Sequence, residues 1–155
     1  METLVVLAAL VVVGYLAGSR AEQAHYASLI EREAALKALP VSNLKQGPET
    51  DQDVEWVQLV YGNTVIAADY FKIFVSALRN LSGGQLSAYE SLMERARRES
   101  VLRMKEMARR QGADLVINLR IEAVSIGKDT SGQKNGLASI EALAYGTAIR
   151  YRRPV

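Results

Sequence analysis

The sequence has no cysteine, which excludes disulfides, thiolate metal sites and cysteine nucleophiles. It has one histidine, His25, whose sequence neighbours are not ligands. A metal centre needs several convergent donors, so a lone histidine reads as polar surface. Excess charge is missing too. A formal net charge of +2 over 155 residues sets up no whole-molecule field that would draw nucleic acid. Proline is scarce, and two of the three, Pro40 and Pro48, bracket one short stretch. They fall within residues 40 to 53, which read as an irregular connection with a short edge strand near Val41.

Charge is absent altogether from Thr3 to Ser19, "TLVVLAALVVVGYLAGS". Seventeen residues sit at the short end of what a helix needs to cross a bilayer. Only Glu2 precedes the run, so the basic start of a secretory signal is lacking. Residues 1–19 are therefore expected to be an uncleaved transmembrane helix, with the bilayer as partner through residues 3–19. Arg20, Arg32 and Lys37 follow it, which places the rest of the chain on the cytoplasmic side of a bacterial inner membrane, single-pass. Gly14 and Gly18 have the small-xxx-small spacing that permits close helix approach. Residues 20–39 are rich in helix formers, with three basic and three acidic side chains, and read as a helical stalk.

The domain proper is expected over 40–152. Residues 54–68, "VEWVQLVYGNTVIAA", are β-branched and aromatic, and read as two strands with a turn at Gly62-Asn63 or as one long bent strand. Phe71, Phe74, Val75 and Leu78 have helical spacing, which predicts a short helix over 69–81. Gly83-Gly84 then lets the chain turn, and Ser87 and Glu90 have capping-box spacing. A phosphate loop is the weaker reading, because the Lys-Ser/Thr ending is missing and Glu90 and Glu94 would repel an anion.

A long helix follows, from about Ala88 to Gln111, stopping at Gly112. Its seven basic and four acidic residues include Glu94–Arg98, Glu99–Arg103 and Glu106–Arg110, all i,i+4 pairs, and predict a solvated face. Residues 114–126 alternate, placing Leu115, Ile117, Leu119, Ile121 and Ala123 on one face of a strand. Residues 127–136 read as a hairpin loop. The last strand, 137–152, has small residues at even positions and larger apolar ones at odd positions. A helix covers the first face; a second copy of the chain is the economical cover for the other.

The order of these pieces resembles the YbjQ family, often described as heavy-metal-binding. The resemblance rests on "VEW…YGNTVIAADYF" (54–71), "ALRNLSGG" (77–84), "AYE" (88–90), "GADLVINLRIE" (112–122) and "YGTAIRY" (145–151). It implies an α+β, dodecin-like fold, with a small antiparallel sheet packed against one long and one short helix. It also implies ring-shaped homo-oligomers, pentamers. The family's recurrent polar set falls on Arg79, Gly83, Gly84, Tyr89, Glu90, Gly112 and Asp114. Ser42-Asn43 stands where the family usually has Thr-Thr.

Function then divides three ways. The first reading is a membrane-anchored, ring-forming scaffold or binding module that is not an enzyme and holds no cofactor. The second is a dodecin-like binder of a small ligand or metal at subunit interfaces, with Trp56, Arg79, Tyr89, Glu90 and Asp114 as candidate contacts. The third is an enzyme using Tyr89 and Glu90, with Arg79 or Asp114, for proton transfer. The first is favoured, because capping and turn roles account for Glu90 and Asp114 without chemistry, and no metal ligand set is visible.

Overall fold

The computed structural model describes residues 1–48, 53–67, 86–126 and 139–152; the side chains of residues 4, 7, 8, 86–89 and 126 lie outside that description. Five long elements result: α1 (Glu2–Ala35), β1 (Val54–Ala67), α2 (Leu86–Arg110), β2 (Leu115–Ile126) and β3 (Ser139–Tyr151). The expected short helix over 69–81, the Gly83-Gly84 turn and the 127–136 loop all fall outside the described residues.

The three strands form one antiparallel sheet in the order β1-β3-β2. A short parallel bridge, Val41 to Val116, extends it at the β2 edge, as the sequence suggested. Four backbone hydrogen bonds tie residues 40–44 there: Ser42 N–H to Val116 O, Val116 N–H to Pro40 O, Leu119 N–H to Ser42 O and Asn118 N–H to Leu44 O, at 2.7–3.0 Å.

β1 is one unbroken strand, which settles the choice left open by Gly62-Asn63. Gly62 is there for close approach. A Cβ on it would run into the Ser100 carbonyl, the Met104 amide and the Arg103 Cβ, so α2 rests directly on the strand backbone. α2 turns Ala96, Ser100, Met104 and Ala108 into the sheet, where all four are fully buried. They meet Val60, Ile140, Ala142, Ala144, Val116 and Ala148. Small residues on both surfaces keep the layers close, and Ser100 satisfies its buried hydroxyl by donating to Arg97 O at 2.9 Å.

β2 departs from the expected alternation. The register shifts between Ile117 and Arg120, and Asn118 sits there with φ 54°. Asparagine tolerates this left-handed conformation, and the bulge reverses which side chains face the helix. Leu115 and Ile117 join Ile149 and Tyr151 on the outer face, whereas Ile121 and Ala123 pair with Ala144 and Ala142 on the inner one.

α2 ends as its sequence predicts. Gly112 has φ +77°, Ala113 N–H donates to Ala108 O at 3.0 Å and Gly112 N–H to Arg109 O at 3.0 Å, a Schellman closure. Gly112→Ala places a methyl group against Arg150 Nη1 in a conformation alanine disfavours. We expect a loss of about 1 kcal/mol, read as a lower urea midpoint at constant slope. The start differs. α2 begins at Leu86, which puts Ser87 inside the helix rather than at its cap.

α1 is continuous across the boundary expected between anchor and stalk. Among the described residues no helix is long and apolar enough to cross a membrane, so the expected transmembrane segment is not supported by them. The side chains of Leu4, Leu7 and Ala8, three apolar members of the run, lie outside those residues. The second half of α1 is no free stalk. Leu29, Leu36 and Tyr26 pack on Leu102 of α2, and Leu39 reaches the main core. The result is three layers, with the sheet below, α2 in the middle and part of α1 above.

Candidate functional site

Three of the candidate contact residues, Trp56, Glu90 and Asp114, have described side chains, and within one chain they lie at separate places. Trp56 is half-buried at the start of β1 and packs on the core cluster that includes Met104 and Ala108. Glu90 is exposed near the other end of α2, about 27 Å from Ala108 at 1.5 Å per residue. Asp114 is exposed at the foot of β2, where its Oδ2 accepts from Tyr151 N–H at 2.9 Å and its own amide donates to Ile149 O. That is a strand-pinning role. Arg79 and the side chain of Tyr89 lie outside the described residues. Glu90 lines an open cleft of about 690 Å³ with Glu33, Arg97, Arg98 and Lys105. Burial holds the Lys105 ammonium below its ordinary pKa, against the pull of Glu33.

Two other surfaces stand out. The first is the junction of α1 with α2, which the sequence reading treated as solvated helix faces. Arg32 donates from Nε to Glu106 at 2.7 Å and from Nη1 to Glu99 at 2.8 Å. Arg98 donates from Nε and Nη2 to the two oxygens of Glu33, each at 2.8 Å. Arg103 takes the other oxygen of Glu99 at 2.7 Å. Arg95 approaches Glu22 at 3.8 Å and lies over the Tyr26 ring, 5.5 Å from its centroid. Only part of the expected pattern within α2 survives. Glu99–Arg103 forms and Glu94–Arg98 is loose at 4.0 Å, while Glu106 is bonded to α1.

Charge states follow from these contacts. Burial pushes the Glu99 carboxyl up, but hydrogen bonds from Arg103 and Arg32 outweigh it and hold it below its ordinary value. The Arg98 fork likewise holds Glu33 down. Glu99 is only 5% exposed, so an uncompensated charge there would be costly.

The second surface is the outer face of the sheet. α2 covers the inner face; on the outer one Val57, Leu59, Tyr61 and Val65 of β1 are exposed by 56, 65, 53 and 58%. Their register partners across β3 are Ile149, Thr147, Tyr145 and Glu141. Tyr145 donates to Glu122 Oε1 at 3.0 Å, and this bond raises the phenol's pKa. The chain covers one end of this face itself, where Gly47 packs near Leu115, Ile149 and Tyr151. Among the described residues nothing covers the remainder, which is largely apolar. The odd-numbered side of β3 pointed here; the apolar outer row of β1 escaped notice, because a strand apolar on alternate residues reads simply as half-buried.

Heavy-metal chemistry finds little to work with. The chain has no thiol and its one histidine lies on α1. Among the described residues no group of three or more histidines, aspartates and glutamates is arranged to hold an ion. The donors present do not fit a soft metal.

Comparison with known proteins adds a lineage. A family model described as "Putative heavy-metal-binding" matches residues 46–152. A UPF0145 protein of Natronomonas pharaonis is 39% identical over 101 residues, covering 65% of this chain and 88% of that one. A UPF0145 protein of Clostridium novyi is 38% identical over 99 residues, covering 64% and 87%. A crystal structure of a Pediococcus pentosaceus protein of unknown function, from the DUF74 family, aligns with a TM-score of 0.43 and 12% identity over 74% of this chain and 98% of that one. α1 lies wholly outside the span the family model matches.

Proposed function

The chain belongs to the YbjQ family, UPF0145, and we propose that within it this protein is a non-catalytic binding module that assembles as a pentameric ring through the outer face of its sheet and is tethered to a bilayer by the first half of α1. The observation that carries the assembly is the bare outer row of β1. Four large apolar side chains, each more than half exposed, share one face with no helix over them among the described residues. A patch of that kind calls for a partner surface, and in a ring each copy supplies it head to tail, a different surface of one subunit covering the outer face of the next.

The tether rests on how α1 is placed. Its contacts ascend in the same sense as α2, from Tyr26 beside Ser91 to Ala35 beside Arg109, so the two helices point the same way along the junction. The junction described above reaches back to Glu22, and the roughly 20 residues of α1 before it span about 30 Å of helix. Along that stretch Val5, Val6, Leu10, Val11, Val12 and Val13 are exposed, and at 100° per residue no gap between neighbouring directions exceeds about 100°, so the apolar surface runs round the helix. Lipid is the solvent such a surface suits, with the domain on the cytoplasmic side.

The full chain is expected to float with phospholipid vesicles in a density gradient, and a chain lacking residues 1–20 to stay in the aqueous fraction. Native mass spectrometry of the full chain released from detergent should then give five subunits without a bound metal. A monomer there would refute the ring, and flotation of both chains would refute the tether.

A further inference from the structure

We propose that His25 is a proton-operated latch on the docking of α1 against α2: a proton gained on its ring loosens the junction and frees the second half of α1 from the domain. The imidazole, 32% exposed, lies against the charge cluster described above. Its Nδ1 is buried with no hydrogen-bond partner, and its Nε2 lies 3.9 Å from Glu99, beyond hydrogen-bond distance. The charged groups that face it are Arg95, Glu99 and Arg103 from α2, with Arg32 from its own helix; Glu22, one turn back on α1, approaches Arg95 at 3.8 Å.

A protonated ring would need an acceptor, and Glu99 is the nearest. Both its oxygens are committed, Oε1 to Arg103 at 2.7 Å and Oε2 to Arg32 at 2.8 Å. The new cation would therefore join three guanidinium groups around one carboxylate that already serves two of them. Burial first, then Arg95, holds the ring's pKa below 6.5 in the docked state.

The sign follows. The undocked ring binds a proton from about pH 6.5 downward and the docked ring resists it, so docking weakens as pH falls through that range. Glu33 and Glu99 are both held below the ordinary 4.5, so they keep their charge in the same window.

The latch sits on a lever. Leu36 and Leu39 are buried just past the end of α1, and residues 40–44 continue directly into the bonded edge beside β2. Release of α1 therefore pulls on the edge strand of the sheet.

Because the chain has no cysteine, spin labels can be placed without background, and the single histidine reports its own titration. Nitroxides on Glu31→Cys and Arg110→Cys, both exposed positions, would measure the separation of α1 and α2 in the full chain in detergent micelles. At pH 7.5 one short distance is expected. At pH 5.5 a longer population should grow in, the docked-to-free ratio falling by up to about tenfold per pH unit. His25→Gln should remove this response while leaving the far-ultraviolet circular dichroism unchanged. An identical distance distribution at both pH values in the native sequence would overturn the latch. So would an unaltered response in His25→Gln, which would assign it to the carboxylates. Should that variant fail to fold, nuclear magnetic resonance titration of the native His25 ring decides: a midpoint below 6.5 supports the latch, and one at or above 6.5 defeats it.

Discussion

Gly62→Ala is expected to destabilise the domain by about 3 kcal/mol, the upper part of the usual range for overpacking. The site cannot absorb a methyl group by rotating a side chain. Two of the three atoms it would strike belong to the α2 backbone, at Ser100 and Met104. The helix would have to lift off β1, and Ala96, Met104 and Ala108 would lose contact with the sheet together. Denaturant unfolding of the full chain in mild detergent, followed by fluorescence of the sole tryptophan, Trp56, would report the loss as a lower midpoint. A change below about 1 kcal/mol would mean that α2 is free to shift, and that close seating on Gly62 is not what holds the layers.

Gly62 also shows how far local sequence reaches. A Gly-Asn pair inside a β-branched run is a strong turn signal, and a hairpin was a fair reading. The pair turns nothing here, because β3 lies alongside β1 through the whole stretch, with Gly62 opposite Ala144 and Asn63 opposite Leu143. Tertiary packing claimed the glycine for its lack of a side chain, not for its conformational freedom. Asn118 shows the converse. It looked like one more outward polar residue in a clean alternation, yet it forms the bulge that turns Leu115 and Ile117 away from α2. A one-residue shift reverses faces, and period-two counting has no means of detecting it.

The ends of elements were easier to read. Gly112 closes α2 because the Schellman geometry needs a left-handed residue at that place, and its requirements are local. The edge pairing near Val41 is legible for the same reason: a short proline-bracketed stretch with few apolar residues suits an edge.

The junction of α1 with α2 was hidden for a different reason. Glutamates and arginines four apart on α2 satisfy one another on paper. Each also satisfies a partner on a neighbouring helix, and the sequence carries no mark of which contact forms. Arg32 bridges Glu99 and Glu106, which are 67 and 74 residues away along the chain. That distance is also why His25 reads as polar surface in the sequence alone. Nothing within several residues of it suggests that Glu99, Arg95 and Arg103 will gather around its ring.

Leu59→Asp is expected to dissolve the assembly while leaving each subunit folded. Leu59 is 65% exposed and makes little use of its own domain, so the substitution should cost a subunit no more than about 0.5 kcal/mol. At an interface the balance changes. Leu59 lies mid-row on the outer face, opposite Thr147 and between Val57 and Tyr61, and no arginine or lysine stands across from it on β3 to receive a carboxylate. A charge buried there without a partner weakens each contact by at least about 3 kcal/mol, roughly a hundredfold in its dissociation constant. A closed ring multiplies that cost by its number of contacts, so the loss should be complete at micromolar concentration. Sedimentation velocity of the full chain in detergent would show one small species in place of the ring, with circular dichroism as the control for folding. An unchanged sedimentation coefficient would place the contact between copies elsewhere and leave the apolar row of β1 without its partner.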